Sequence, residues 1–258
     1  MKNTLPSPAL AVAALAVLTA PGCICGNSCF DIFSNVAVEG LVLGVDEPIE
    51  GIDLGAAAGA TAFLAEAESL SSFEANLLDD ADRVWVETET TSAVNLEAVG
   101  DGLYEVTSDT VPGFAYSVGA TYTIAVQDGG QSFSVSGVAP PPPTLTGVPA
   151  AGTHPAGGGL TFDLSGQNFD NHLAVVADQD GNLTYDNRPD TAGDYIDWIG
   201  GDDVSTITIP GSAFPSAGTA YVLGVAGIRK GDDFDGFNPL VSNLAVGSLA
   251  VEAVATAP

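Results

Sequence analysis

The residues with chemistry to offer are Cys23, Cys25 and Cys29, His154 and His172, and two aspartate-rich runs. Three clustered thiols with no histidine nearby do not complete the four-ligand set that structural zinc takes. Hydrolysis by a nucleophile needs a serine or cysteine beside a base. His154 lies in a Pro/Gly-rich stretch and His172 in the turn after Phe169, where both read as exposed loop histidines, and no Gly-x-Ser-x-Gly elbow occurs. With 33 acidic residues, any carboxylate pair chosen as a glycosidase-like acid and base is uninformative. The chain therefore reads as non-enzymatic.

The runs Asp178-Gln179-Asp180-Gly181-Asn182 and Asp232-Asp233-Phe234-Asp235-Gly236-Phe237-Asn238 alternate oxygen donors with turn glycines. Calcium takes about six to eight oxygens, and neither run has the EF-hand spacing or its closing glutamate, so each needs help from another loop. The first run is also what an ordinary β-turn uses. No cofactor is expected, with calcium at Asp232, Asp233 and Asp235 as the speculative exception. Tyr185, Tyr195, Trp198 and Phe237 are aromatics expected in loops, where rings either stack on sugars or anchor the loop. Tyr195 and Trp198 are the leading ligand-binding candidates.

The elements that would position these residues are short strands. Gly 31, Pro 16 and a 7% aromatic content fit a turn-rich all-β chain, and the length leaves room for two ordinary domains. Val36–Leu43 is β-rich and bounded by turn residues. Residues 61–67 read as a strand and 71–78 as a short helix. From Arg83 the period becomes two, through 83–88, 93–97, 102–106, 122–126 and 132–136, with Asp128-Gly129-Gly130 as a hairpin connection. Pro140-Pro141-Pro142-Pro143 cannot donate to a ladder and reads as a stiff hinge between domains. Beyond it the pattern repeats: Val118–Val126 aligns with Ala217–Val225, placing Tyr221 99 residues after Tyr122.

Charge sets the excluded partners. Five basic residues against 33 acidic give a net charge of -28, which repels phosphodiester backbones and rules against nucleic acid. Such a surface is usually a solubilising one, and it also suits high salt or divalent cations.

The start of the chain is a secretory pattern: Lys2, an apolar run from Ala9 to Ala20, then small residues, too short for a bilayer span of roughly 20 apolar residues. Leu18-Thr19-Ala20-Pro21-Gly22-Cys23 resembles the lipobox of bacterial lipoproteins. That resemblance implies cleavage after residue 22, acylation of Cys23, and a membrane partner reached through the lipid. Ile24, not an acidic residue, leaves outer-membrane transfer open by resemblance to the enterobacterial sorting pattern. With Cys23 acylated, Cys25 and Cys29 form an even pair that an oxidising envelope would let close as a disulfide; free or otherwise modified thiols and metal are the alternatives.

Each glycine turn feeding Tyr122 or Tyr221 resembles the tyrosine corner of immunoglobulin-like domains. Pro143–Pro149, Pro155–Phe169 and Val204–Pro210, with Gly218 and Tyr221–Val225, resemble an IPT/TIG domain over about 145–250, apart from an insertion at 183–203 and a long acidic loop at 227–239. The first half is more loosely similar to fibronectin type III or transthyretin-like modules. These resemblances imply spacing, adhesion or accessory binding and specify no reaction.

The expected organisation is a signal peptide at 1–22 (a helix in the precursor), a tether at 23–35, and a first sandwich at 36–139. A Pro-rich linker follows at 140–144, then a second sandwich at 145–252 and a tail at 253–258. The fold class is all-β, two tandem immunoglobulin-like or fibronectin III-like sandwiches. The expected role is a structural, adhesive or accessory-binding lipoprotein of the envelope, at the outer membrane or cell surface, whose partner is an unknown protein or carbohydrate. The alternative is a carbohydrate- or other ligand-binding lipoprotein using loops of the second domain.

Overall fold

A computed structural model describes residues 36–45, 57–73, 76–187, Trp198 and 205–258. The signal and tether segments and all three cysteines lie outside these residues.

The fold is all-β, as two immunoglobulin-like sandwiches. In the first half, β1 (Val36–Gly44), β2 (Ala58–Glu66), β6 (Leu103–Thr107) and β5 (Glu97–Gly100) form one sheet. It faces β8 (Gln131–Val138), β7 (Thr121–Asp128), β3 (Arg83–Thr88) and β4 (Val94–Asn95). That pairing of strands is the arrangement of immunoglobulin-type sandwiches. In the second half, β11 (Leu183–Asp186), β10 (Asn171–Asp178), β13 (Ala220–Gly231) and β15 (Asn243–Ala255) face the pair β9 (Leu160–Asp163) and β12 (Thr206–Ile209).

Alternation explains both cores. Val84 and Val86, Tyr122, Ile124 and Val126, and Phe133 and Val135 turn inward against Val36, Val38 and Val42 of β1, while Arg83, Gln127 and Ser132 stay exposed. The second core gathers Phe162, Ile207, Ile209, Phe214, Tyr221, Leu223 and Val225.

The two halves share strands. β1 runs parallel to β15, in register from Glu39 with Asn243 to Gly44 with Ser248, while β15 pairs antiparallel with β13 from Leu244 to Ala255. One eight-stranded sheet thus crosses both sandwiches. The chain between β13 and β15 folds back on the first half. There β14 (Asp233–Asp235) adds to the edge of β8 and Phe237 enters the first core, joined by Leu244 and Val246 from β15 itself. This corrects the long loop expected at 227–239. Asp233, Phe234 and Asp235 alternate out, in and out along β14, and Phe237, beyond the strand, turns into the first core.

Two further expectations change in detail. In place of the helix expected at 71–78, the described residues hold one turn, α1 (Leu70–Phe73), with serine hydroxyls bonding the backbone at its start. Ser72 Oγ donates to the Ser69 carbonyl (2.8 Å) and accepts from the Ser69 N–H (3.1 Å). Downstream, Leu77 makes an isolated bridge with Ala65. The polyproline segment is tied down: Pro140 and Pro143 are buried, and the Ser248 hydroxyl links the Pro140 carbonyl to the Tyr116 hydroxyl.

Both tyrosine corners form. The Tyr122 hydroxyl accepts from the Ser117 N–H (2.8 Å) and donates to the Ala115 carbonyl (3.1 Å). The Tyr221 hydroxyl accepts from the Ser216 N–H (3.0 Å), with a longer contact to the Ser216 carbonyl (3.5 Å). Replacing either tyrosine by Phe strands a backbone N–H beside a buried ring, a cost of about 1–3 kcal/mol. Urea midpoints should fall in both variants, and further in Tyr122→Phe, whose bonds are shorter.

Candidate functional site

The structure scatters the residues singled out in the sequence. Of the four expected loop aromatics, Phe237 is 1% exposed and packs on Phe133, with ring centroids 5.5 Å apart. Tyr185 lies in β11 against the second core. Trp198 is partly buried over Leu43, Ala226, Ile228 and Ala245, on the face of the large sheet turned away from the sandwich cores. Its indole N–H donates to the His172 carbonyl (3.0 Å), and the Asn187 amide reaches the same oxygen (3.3 Å). Trp198 therefore packs on the sheet through its ring and its indole N–H. Tyr195 lies outside the described residues.

Asp178 closes the β10–β11 turn. Its carboxylate accepts from the N–H groups of Asp180 and Asn182 (2.9 Å each) and from the Asn182 side-chain amide. The Asn182 amide and backbone together hold the Asp178 carboxyl below its ordinary value. Asp232 is exposed ahead of β14, and Asp233 and Asp235 are exposed on it. Among the described residues, no three His, Cys, Asp or Glu side chains converge to hold a metal ion.

Neither histidine is an exposed loop residue. His154 is 3% exposed because its ring packs edge-on against Phe214, and its Nε2 donates to the Gly158 carbonyl (2.7 Å). His172 is in β10, largely buried, with Nδ1 unpartnered among the described residues. Proline and glycine around His154, and the turn before His172, gave no sign of this packing. Neither ring is hydrogen-bonded to a serine, threonine or cysteine among the described residues, so no nucleophile and base meet there.

Burial lowers the His172 pKa from its ordinary 6.5 by penalising the imidazolium. The folded chain therefore binds this proton less readily than the unfolded chain, and the sign follows: the contribution is complete above about pH 6.5 and is lost as pH falls below it. Urea midpoints measured from pH 7.5 to 5 should drop less steeply in His172→Asn than in the parent, which isolates this group from the carboxylates titrating near pH 4.

One surface collects polar side chains in register: the outward face of the five-stranded sheet. Asn95, Trp85, Ala125, Ser134 and Asp235 form one cross-strand row, and Glu87, Thr123, Ser136 and Asp233 the next. Arg83, Gln127 and Ser132 complete a third. Trp85 is partly exposed. The Arg83 guanidinium lies 4.6 Å from its ring centroid, and its indole N–H donates to Glu87 Oε2 (3.0 Å). Arg83 Nε in turn donates to Asn95 Oδ1 (2.8 Å), and the Thr123 and Ser136 hydroxyls bond across strands (2.8 Å). This face offers hydroxyls, carboxylates and an indole, which suits recognition of polar groups. The aspartates sought for calcium belong here, at its edge. The polar half of the alternation in 83–88, 122–126 and 132–136 was the signal that could have located it.

No protein-family model and no curated protein matches the chain. Among solved structures it is similar to the ICAM-5 D1–D4 ectodomain fragment, at 9% identity and TM-score 0.23, over 86% of this chain and 51% of that one. It is also similar to fibronectin(III)-like modules of Clostridium thermocellum CbhA, at 9% identity and TM-score 0.22, over 86% of this chain and 94% of that one. The chain spans about half the length of the ICAM-5 fragment. The assignment as tandem sandwiches rests on strand order and register, which define the class directly.

Proposed function

We propose that this chain is a non-enzymatic lipoprotein of the cell envelope or surface, held through Cys23 and acting as a structural, adhesive or accessory-binding module. The observation that carries the reading is the order of the first 23 residues: a basic start, an apolar run too short to span, small residues, then cysteine. The described residues contain no helix long and apolar enough to cross a membrane. Two or more acyl chains would supply stable retention. The second half is read as IPT/TIG-like, and the acidic surface as a solubilising one facing away from nucleic acid. Fractionation of cells expressing the parent and Cys23→Ala, with labelled fatty acid supplied, tests the anchor. The parent should partition with membranes and carry label, and the variant should do neither; equal membrane retention of both would overturn the reading. Protease added to intact cells then reports which side the protein faces.

A second reading, carbohydrate binding, is favoured by the polar face around Trp85 more than by the second-half loops, since the Trp198 ring is packed on the sheet. Aromatic rings beside hydroxyl and carboxylate groups suit polyhydroxyl ligands. A glycan array probed with the parent and Trp85→Ala decides it: signal lost in the variant supports the reading, and no signal from the parent removes it.

A further inference from the structure

β1 and β15, the first and last strands of the described fold, lie side by side and point the same way. Around the start of β1, the Val36 carbonyl accepts from the Asn238 N–H (3.0 Å) and the Val38 N–H donates to the Ser242 hydroxyl (3.1 Å). The buried Glu39 carboxylate accepts from the Asn243 amide at 3.0 and 3.2 Å. From there the ladder runs to Gly44 and Ser248. On its other edge β1 pairs with β2 along its whole length, from Val36 with Glu66 to Gly44 with Ala58, and β15 is held by β13 from Leu244 to Ala255.

We infer that this fold is a tension-bearing link whose force-resisting element is the β1–β15 clasp. Tension entering upstream of Val36 and leaving downstream of Ala255 pulls these parallel neighbours in opposite directions along their own axes. The evenly spaced bonds of a parallel pair are then loaded together in shear. If the same strands were pulled apart from one end, the bonds would break one after another. Because β15 also belongs to the second sandwich, neither half can extend while the clasp holds, and the two give way as one. The use of this property in the cell rests on the proposed N-terminal anchor; the property itself does not.

Single-molecule pulling on the full chain, with Cys23, Cys25 and Cys29 changed to Ser and handles at the two ends, should give one rupture. Its length gain should be roughly 80 nm at about 3.6 Å per residue across Val36–Ala255. Moving the second handle to Leu240→Cys, a 61% exposed position just before β15, leaves the fold unchanged but peels the clasp from its beginning. Rupture force should then fall severalfold. Equal forces in the two geometries, or two successive releases of half the length from the end-to-end pull, would overturn the inference. Neither result depends on acylation, so failure of the anchor reading and failure of this one are separately visible.

Discussion

Excising residues 36–139, the first sandwich as the Pro-rich boundary delimits it, should yield a polypeptide with no cooperative melt. The fragment loses β14 from the edge of β8 and β15 from the edge of β1, and with them Phe237, Leu244 and Val246 from the core. Burial of each such side chain contributes about 1.5–3 kcal/mol. Together the three approach the whole stability of an ordinary domain, about 5–15 kcal/mol. Exposure of the β1 edge adds unpaired backbone groups and an aggregation hazard. Circular dichroism of the fragment should show little β signal and a flat thermal trace, whereas the full chain should melt in a single transition. A fragment that melts sharply would mean the core closes without the second half's strands.

Gly231→Val should be the most damaging single substitution at the junction. A Cβ at residue 231 would collide with the Ser136 carbonyl oxygen, which is backbone and cannot swing aside. The partner position is equally tight: a Cβ at Gly137 would lie 2.9 Å from Val246 Cγ2 and 3.0 Å from Gly231 Cα. The two glycines let β8 and β13 approach closely where the chain crosses from one sandwich to the other. Overpacking of this kind costs about 1–3 kcal/mol, with the upper end expected because backbone must move. For a chain of this size each kcal/mol lowers Tm by about 2–4 °C. Differential scanning calorimetry should show the whole transition shifted down, and an unshifted Tm would mean the junction has slack that the close approach does not allow.

The strands themselves were legible because alternation is local. Val84 and Val86, Phe133 and Val135, and the paired Tyr122 and Tyr221 announced inward faces and corners from sequence alone. The sharing of β15 was not legible, since Asn243–Ala255 carries no mark of having two neighbours from different halves. Its partners on β1 lie about two hundred positions away, and nothing in either segment specifies that distance; the Val38–Ser242 bond alone separates residues by 204. The acidic run 232–238 misled for a related reason. Edge strands often carry charge on their solvent side, so Asp233 and Asp235 looked like a loop when Phe234 and Phe237 were the informative residues. His154 was misjudged because glycine and proline neighbours describe a backbone path and say nothing about which ring packs on Phe214.

The pairing of the first strand with the last also sets a schedule. Folding is slowest where contacts join distant parts of a chain, since the intervening loop must close before any contact rewards it. During synthesis β1 leaves the ribosome about two hundred residues ahead of its parallel partner, so the edge of the first half that β15 covers stays open until that strand has emerged.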